Sequence, residues 1–477
     1  MTRSANRQRL AAIVLATCLM AAGIAGLVHL YAKGQTSLLE RLRNSGELRV
    51  ATRRSPTTYH AGANGPDGFE YALIKRFAGQ LGVEARFTFP SSLDELLNAA
   101  ARGSVHMSAG GLSVTPERRQ RLTFTTPYDT VTEQLLYRRG NKRPRDLSEL
   151  TDGDLHVVAR SSHEETLREL RSTSLPSLTW KARDDNGIDR LLAELDVGEL
   201  RYTVADSNEA ALSRRLYKHA AVAFDIGDPK PLAWAFGKGT DDSLLTAANE
   251  FLRNLDASGE LRRLRARYFG HTGRLNFVDT REFWRHVRDR LPHYRTYFER
   301  AGEATGIDWR LLAAIGYQES HWRPKAVSPT GVRGIMMLTR STAKQMGITD
   351  RNDPEQSIMG GARYLRVVEK KIPERIKHPN RLWLTLAGYN IGFGHLEDAR
   401  ILTQRDGANP DLWMHVKRRL PLLSKKKHHQ TVRYGFARGR EPVTYVDNIR
   451  NYYDMLVWFT TTADDEMRQR LLARNDD

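Results

Sequence analysis

The order of strand-like and helix-like segments limits the folds open to this chain of 477 residues. Short apolar and β-branched runs alternate with helical patterns as far as about residue 270, which predicts an α/β domain with mainly parallel sheets. Strand signals vanish after Phe277, and the helical runs that follow predict an all-α domain. A chain of this length is also too long for one compact core. The predicted strands are residues 48–51, 85–89, 156–159 and 220–224, and the predicted helices are residues 71–81, 93–102, 253–267, 283–297, 309–320, 342–346, 359–371 and 381–389.

The first 32 residues have the pattern of an export or anchoring segment. Arg3, Arg7 and Arg9 precede an apolar stretch over residues 10–32, close to the ~20 residues that span a bilayer. This pattern fits a cleaved signal peptide and a retained membrane anchor equally well. Cys18 is the one cysteine, so an intramolecular disulfide is excluded. The further boundaries are predicted as a helical lead-in at 33–44, the α/β domain at 45–270, the all-α domain at 271–463 and a charged tail at 464–477.

The chain is strongly basic, with a formal net charge of +18 and a pI near 10.0. Such a balance fits binding to nucleic acid, anionic lipid or an anionic polymer, and it also fits a surface that is simply well solvated. Because nothing in the sequence resembles a nucleic-acid-binding module, we expect no nucleic-acid partner. Residues 423–430 are predicted to form a basic loop, which is either a metal or polyanion site or a solvated loop.

Glu319 is the residue that points most directly to chemistry. The apolar run at 311–315 marks the buried face of a predicted helix, and Glu319 lies one turn past Ile315 on that face. Pro324 disfavours helix at the residue before it, so the helix should end close to Glu319. Apolar surroundings and the negative end of the helix dipole both favour the neutral acid. Such a group can donate a proton to a glycosidic oxygen, although a glutamate in a last helical turn is commonly a solvated surface residue.

Three later segments join Glu319 in a recognisable pattern. Gly331 and Gly334 punctuate a turn before a second apolar helix start. Residues 386–394 read Leu-Ala-Gly-Tyr-Asn-Ile-Gly-Phe-Gly, and residues 441–446 read Glu-Pro-Val-Thr-Tyr-Val. Together these segments resemble, in order, the lytic transglycosylase domain of the soluble lytic transglycosylase type over about residues 290–460. The resemblance implies a lysozyme-like all-α fold for this part of the chain.

The resemblance also implies a substrate-binding cleft around the acid. Ser320 would contact a substrate acetamide or orient the acid, unless it is a plain helix-terminal serine. Tyr389 and Asn390 would present donors to the sugar, with a core role as the alternative for Tyr389. Tyr445 would point at the acid or pack in the core. Met337 would form an apolar wall where the family often has Gln, a departure that we interpret as a subfamily mark.

The reaction that the resemblance implies is cleavage of murein, the cell-wall peptidoglycan, without water. Most glycosidases use two carboxylates, but the nearest upstream acid, Asp308, is predicted to cap a helix. Glu319 would protonate the leaving oxygen of the β-1,4 bond between N-acetylmuramic acid and N-acetylglucosamine. It would then accept a proton from the muramoyl C6 hydroxyl, which closes a 1,6-anhydro ring. A lysozyme-like hydrolase and a non-catalytic glycan-binding receptor or scaffold are the alternatives, and no cofactor or metal is expected.

The first domain resembles a second family, the periplasmic solute-binding domains of the amino-acid-binding type. The resemblance is carried by residues 46–50, 68–73, 115–118 and 124–128. It implies two lobes with a ligand cleft between them that closes by a hinge. Arg118 would bind a ligand carboxylate, Asp206 a ligand amine, and Tyr59 would stack on the ligand or pack internally. The domain would bind a murein stem peptide or an amino acid and bias the second domain, or it would only position the enzyme.

These expectations together locate the protein in the cell envelope, on the periplasmic side. We expect peripheral attachment to the outer membrane, with an inner-membrane anchor as the alternative. Peptidoglycan strands and the membrane surface are the expected partners.

Overall fold

The computed structural model describes residue 20 and residues 36–184, 187–239, 241–272 and 277–461. The predicted export segment, apart from residue 20, and the predicted charged tail lie outside these residues. None of the helices in the described part of the chain is both long and apolar enough to cross a bilayer. Within it, an α/β domain precedes an all-α domain, so the predicted fold class is confirmed.

The elements of the first domain alternate along the chain. The strands are β1 (Glu47–Ala51), β2 (His60–Gly62), β3 (Gly65–Asp67), β4 (Glu84–Thr88), β5 (Met107–Ser108), β6 (Leu122–Phe124), β7 (Asp129–Arg138), β8 (Leu155–Val158), β9 (Lys181–Arg183), β10 (Tyr202–Asp206), β11 (Ala220–Leu232) and β12 (Ala235–Gly237). The helices are α1 (Leu38–Ser45), α2 (Phe69–Leu81), α3 (Leu93–Ala101), α4 (Pro116–Arg119), α5 (Ser162–Thr173), α6 (Asp189–Val197), α7 (Ser207–Ser213), α8 (Ser243–Ala257) and α9 (Glu260–Tyr268).

Two five-stranded sheets, one for each lobe, organise these elements. Their orders are β4-β1-β5-β12-β6 and β11-β7-β10-β8-β9. Strand β1 pairs in parallel with β4 and β5, and β8 pairs in parallel with β9 and β10. Strand β7 pairs antiparallel with β10 and β11, and β12 pairs antiparallel with β5 and β6. The prediction of mainly parallel sheets is therefore wrong. The chain leaves the first lobe through β7 and returns through β11, and an outgoing and a returning strand that lie side by side must run antiparallel.

The second domain is built from helices in the described residues, with only isolated β-bridges around its Gly-rich turn. Its helices are α10 (Phe277–Asp289), α11 (Leu291–Thr305), α12 (Trp309–Ser320), α13 (Arg340–Gln345), α14 (Pro354–Lys371), α15 (Asn380–Ile391), α16 (Phe393–Arg405), α17 (Trp413–Arg419), α18 (Lys426–His429) and α19 (Glu441–Thr461). Helix α12 packs against α11 and α19, and α15 packs against α14 and α19.

Two predicted helices are divided in the structure, and the predicted basic loop is partly helical. The helix predicted at 253–267 is broken at Gly259, which has a left-handed φ of 70° and separates α8 from α9. The helix predicted at 283–297 is broken at Arg290, because Pro292 starts a new helix rather than continuing the old one. The predicted basic loop at 423–430 contains helix α18, so its Lys and His side chains project from an ordered turn.

Helix α19 contacts both domains. Asp454 on this helix accepts a hydrogen bond from Nη1 of Arg215 at 2.8 Å, and its Oδ2 lies 2.7 Å from Nε2 of His271. One turn earlier, the side chain of Asn451 donates to the carbonyl of His271 at 2.9 Å. A cavity of about 1310 Å³ lies beside these contacts, between the domains, and Glu319 is not among the residues that line it.

Candidate active site

Helix α12 fixes the position of Glu319. The side chain of Asp308 accepts from the backbone N–H of Arg310, so the predicted N-cap is confirmed. The helix ends at Ser320, and His321 and Trp322 then have left-handed φ values of 52° and 55°. Such backbone is unfavourable outside glycine. Here it turns the Trp322 ring back into the core, where Nε1 donates to the carbonyl of Ala313 at 2.8 Å.

The Glu319 side chain is half-buried, and its carboxyl group has a hydrogen-bond partner in the Tyr445 hydroxyl. Burial raises its pKa to about 7, because water no longer solvates the charged form. The hydroxyl of Tyr445 donates to Oε1 at 2.6 Å, and this hydrogen bond acts against burial by stabilising the carboxylate. The larger effect is burial, so the group holds its proton close to neutral pH, as the apolar face of the predicted helix indicated.

Two tyrosines share the environment of the acid. Burial and the charge of Glu319 raise the pKa of both Tyr389 and Tyr445 well above the ordinary value. Both phenols therefore stay protonated and act as donors at neutral pH. The Tyr389 hydroxyl donates to the carbonyl of Met336 at 3.3 Å, and its ring lies 5.3 Å from that of Tyr364. The structure thus brings Glu319, Tyr389 and Tyr445 together from three separate helices.

The Gly-rich turn forms a wall beside these tyrosines. Gly334 has a φ of +87°, and a Cβ there would lie 1.8 Å from the carbonyl oxygen of Arg351. The Ser357 hydroxyl accepts from the backbone N–H of Met336 at 3.2 Å. Met337 is half-buried with a left-handed φ of 47°. The residue before it, Met336, accepts a hydrogen bond from Tyr389 through its carbonyl. Met337 therefore lies close to Tyr389 and stays a candidate for the apolar wall.

Ser320 and Asn390 occupy different environments from each other. Ser320 is 2% exposed, and its hydroxyl contacts the carbonyls of Gly316 and Ile335 at 3.2 and 2.9 Å. It also accepts from the backbone N–H of Arg323 at 3.2 Å. These contacts favour the helix-terminal role over contact with a substrate acetamide, because the hydroxyl is already satisfied inside the fold. Asn390 is exposed at the end of α15, directly after Tyr389, where its amide is accessible.

Asp308 is not a second catalytic carboxylate. It stands eleven residues before Glu319 on one helix, which corresponds to about 16 Å at 1.5 Å per residue. Paired glycosidase carboxylates lie about 5 to 9.5 Å apart. The Asp308 carboxylate is also bonded to the guanidinium of Arg310 and to the hydroxyl of Tyr453, at 2.8 and 2.9 Å. Its role is to anchor the start of α12 against α19.

The predicted ligand arginine in the front domain is already paired within the chain. Arg118 is 3% exposed, and its Nε donates to Glu165 of the other lobe at 3.1 Å. Its Nη1 donates to the carbonyl of Ser113 at 3.0 Å, and its Nη2 to that of Arg160 at 3.4 Å. All three guanidinium nitrogens therefore have partners, and one of these partners is the Glu165 carboxylate.

A second ion pair crosses the same cleft. Arg53, which follows β1, donates from Nη2 to Oε1 of Glu209 on α7 at 2.6 Å. Glu70 lies in the same buried region, where it accepts from Tyr128 at 2.6 Å, and burial raises its pKa to about 6. These cleft residues were not predicted as site residues, although Glu70 stands inside the motif at 68–73 that carried the resemblance. Only the pairing across the lobes identifies Arg53, Glu209 and Glu165.

Asp206 and Tyr59 face neighbours other than a ligand. Nε2 of His163 lies 3.1 Å from Oδ1 of Asp206. The Tyr59 ring packs at 5.3, 5.3 and 4.8 Å from the rings of Tyr71, Phe87 and Phe89, which supports internal packing rather than ligand stacking.

Asp206 also belongs to a buried group of possible metal ligands. Glu133, His163 and Asp206 offer donor atoms within 4.8 Å of one another. The ammonium of Lys230 lies 2.8 Å from Glu133, so a cation of the chain already neutralises that carboxylate. This ion pair makes the group a poor match for a metal ion.

Two family models match the two domains of the chain separately and in the same order. The family model of the bacterial extracellular solute-binding proteins, family 3, matches residues 48–271, and the transglycosylase SLT domain matches residues 296–411. Among solved structures, an ancestral amino acid-binding protein, a precursor of cyclohexadienyl dehydratase, is 26% identical and covers 49% of this chain and 100% of its own, with a TM-score of 0.44.

Two curated relatives are similar over most of the chain. Membrane-bound lytic murein transglycosylase F 1 of Alkalilimnicola ehrlichii is 49% identical over 88% of this chain and 85% of its own length. Membrane-bound lytic murein transglycosylase F of Ectopseudomonas mendocina is 46% identical over 96% of this chain and 93% of its own length. Identity at this level across both domains shows that the chain belongs to the family of the membrane-bound lytic murein transglycosylases F.

Proposed function

We propose that the chain is a peptidoglycan lytic transglycosylase, which cleaves the β-1,4 bond between N-acetylmuramic acid and N-acetylglucosamine without water. The observation that carries the proposal is the half-buried carboxyl group of Glu319, whose pKa burial raises to about 7. Family membership supplies the substrate class, since the relatives are named for murein. A neutral acid is the group that a glycosidic leaving oxygen requires.

The proposed reaction has two proton transfers through one carboxyl group. Tyr445 donates to Oε1, which leaves Oε2 of Glu319 to carry the proton. That proton passes to the glycosidic oxygen as its bond to C1 of the muramoyl residue breaks. The resulting carboxylate accepts the proton of the C6 hydroxyl as O6 bonds to C1. The products are an N-acetylglucosamine end with a free hydroxyl and a 1,6-anhydromuramoyl end, and Glu319 is protonated again.

A water-using hydrolase fits the site less well. A second carboxylate at glycosidase distance would repel the charged form of Glu319 and so raise its pKa. The pKa of Glu319 is raised by burial and lowered by the Tyr445 hydrogen bond, and no second carboxylate is among the causes of its shift. An attacking group supplied by the sugar itself needs no second carboxylate, and this favours the anhydro route.

The test is digestion of purified sacculi by the full chain over a range of pH, with mass analysis of the products. We expect muropeptides one water lighter than hydrolysis products. The rate should be highest where Glu319 is protonated and should fall by about tenfold for each pH unit well above its pKa of about 7. Hydrated reducing ends as the main products would overturn the proposal in favour of a lysozyme-like hydrolase.

Tyr445→Phe tests whether the ionisation of Glu319 causes the fall in rate at high pH. The Tyr445 hydrogen bond lowers the pKa of Glu319 by stabilising the carboxylate, so its removal should raise that pKa further. The fall in rate should therefore begin at a higher pH than in the unchanged chain. If the rate of Tyr445→Phe falls at the same pH as that of the unchanged chain, a group other than Glu319 controls the dependence of the rate on pH.

For the front domain we infer a binding cleft for a murein stem peptide or an amino acid, which biases the catalytic domain. Support comes from the two lobes and from the buried guanidinium of Arg118 at their junction. Because Glu165 already pairs with Arg118, a ligand carboxylate would have to replace the Glu165 carboxylate. The alternative is a domain that only positions the enzyme, in which these ion pairs simply hold the lobes together.

Calorimetric titration of the full chain with stem peptides and single amino acids separates these alternatives. We expect saturable binding that becomes about fivefold tighter in Glu165→Ala, since releasing a partly buried ion pair is worth on the order of 1 kcal/mol. Glu117→Ala is the matched control, because this glutamate is 53% exposed and pairs with Arg168 at the surface. No saturable binding by either chain favours the positioning role.

The proposed site of action is the periplasmic side of the cell envelope. The relatives are named membrane-bound, and the apolar residues 10–32 would supply a signal peptide or an anchor. We favour peripheral attachment at the outer membrane over an inner-membrane anchor.

A further inference from the structure

The loop between α18 and α19 exposes two aromatic rings. Tyr434 is 52% exposed and Phe436 is 59% exposed. Few large apolar side chains of the described residues are exposed to solvent to this degree. An exposed pair of this kind, two residues apart, is unfavourable in water unless something covers it. Aromatic side chains contribute large contact areas to binding surfaces.

The loop is held in a fixed shape. Asp398 is fully buried and accepts from the backbone N–H groups of Arg433 and Tyr434 at 3.2 and 2.9 Å. Nη1 of Arg405 donates to the carbonyl of Thr431 at 2.9 Å. A surface fixed in this way loses little conformational entropy when a ligand binds.

The Tyr434 ring lies against the start of α16. A Cβ added at Gly394 would lie 2.8 Å from three atoms of this ring, so the absence of a side chain there lets the ring rest on the backbone. One part of the Tyr434 ring therefore covers Gly394, while the residue as a whole remains 52% exposed. Gly394 follows Tyr389 of the candidate active site by five residues, which span at most about 18 Å even in a fully extended chain. The Tyr434 ring thus rests on the helix that directly follows the one carrying Tyr389.

The surroundings of these rings carry positive charge. Residues 425–440 contain no Asp or Glu, whereas their cationic side chains are Lys425, Lys426, Lys427, Arg433, Arg438 and Arg440. Each of these six is exposed. The guanidinium of Arg433 lies 5.5 Å from the Tyr434 ring centre, and across the α15–α16 corner the ammonium of Lys371 lies 5.7 Å from the ring of Phe393. An occupant with apolar faces and negative charge is complementary to this surface.

We propose that Tyr434 and Phe436, with the cations around them, form a second glycan-binding surface that holds murein strands bearing anionic peptide stems beside the catalytic groove. The inference rests on the proposed function, because that function supplies the polymer. Sugar rings present C–H faces that pack on aromatic rings, and stem peptides carry carboxylates that pair with Lys and Arg. An anionic lipid surface shares the negative charge, but the position on the helix that follows the one carrying Tyr389 favours the polymer that the groove itself takes.

The test measures binding apart from cleavage. Full chains that carry Glu319→Gln are sedimented with purified sacculi at several protein concentrations, with and without Tyr434→Ala and Phe436→Ala. We expect the double substitution to weaken the apparent affinity by roughly tenfold, the effect of losing an aromatic anchor. Lys426→Glu with Lys427→Glu should weaken binding at low salt and reduce its salt dependence. Ile401→Ala removes another exposed apolar side chain, 38% exposed on α16, and should change nothing.

The outcomes separate this inference from the proposed function. A thermal unfolding temperature equal to that of the parent chain verifies that each variant is folded. The charge variants test the same surface independently of the aromatic ones. Unchanged sacculus binding in both sets of variants overturns the inference even if the unsubstituted chain releases anhydro products. A loss confined to vesicles of phosphatidylglycerol, with sacculus binding intact, also overturns it and assigns the surface to a membrane. Absence of anhydro products from the unsubstituted chain contradicts the proposed function alone.

Discussion

Glu319→Gln is expected to lower the rate of murein cleavage by several orders of magnitude while glycan binding persists. The amide has nearly the shape of the acid but cannot deliver a proton to the leaving oxygen or accept one from the C6 hydroxyl. General acid–base catalysis accounts for about 10²–10⁴ of the rate in enzymes that depend on it. Both proposed steps use the same group, so its loss affects the whole reaction. The measurement is the release of anhydromuropeptides from sacculi, with sedimentation to verify that binding remains.

The control for this substitution is Glu355→Gln. Glu355 lies in the first turn of α14, and its side chain is 48% exposed and paired with Arg300 at 3.0 Å. The same chemical change there should leave the rate within about twofold, as surface substitutions usually have small effects. If the turnover of Glu319→Gln equals that of the unchanged chain, Glu319 is not the catalytic acid. That result would favour a receptor or scaffold that binds glycan without cleaving it.

The position of Glu319 could be predicted from local sequence because its causes are local. The apolar run at 311–315 fixes the buried face of α12, and Pro324 limits how far the helix extends. Its partner Tyr445 is 126 residues further along the chain. No local pattern relates these two side chains, and only the resemblance to a known family suggested that they meet.

Ser320 illustrates what a motif leaves open. It adjoins Glu319 in the sequence, but successive helical residues point about 100° apart, so its side chain faces the Gly-rich turn while that of Glu319 faces Tyr445. The antiparallel pairing of β7 and β11 was also hidden, because strand direction depends on how the chain crosses between lobes. The ion pairs of Arg118 and Arg53 depend on how the two lobes meet, which sequence spacing alone does not determine.

Gly334→Ala is expected to destabilise the catalytic domain clearly more than Gly331→Ala. Both glycines have left-handed backbone, with φ values of +87° and +82°, so each substitution costs about 1–2 kcal/mol in backbone strain. A Cβ at Gly331 would meet nothing within 4 Å. A Cβ at Gly334 would lie 1.8 Å from the carbonyl oxygen of Arg351 and 2.6 Å from the Ser357 hydroxyl, which adds about 1–3 kcal/mol of overpacking.

The collision at Gly334 should also reach the active site. The Ser357 hydroxyl accepts from the N–H of Met336, and the carbonyl of Met336 accepts from Tyr389. Displacing this turn therefore moves the carbonyl that positions Tyr389 near Glu319, so Gly334→Ala should lose activity even at temperatures where it remains folded. Thermal unfolding of the full chain, monitored by tryptophan fluorescence, measures stability, and sacculus digestion well below the transition measures activity. Equal transition temperatures and equal rates for the two variants would mean that the turn relaxes without cost, and that it does not hold Tyr389 in position beside Glu319.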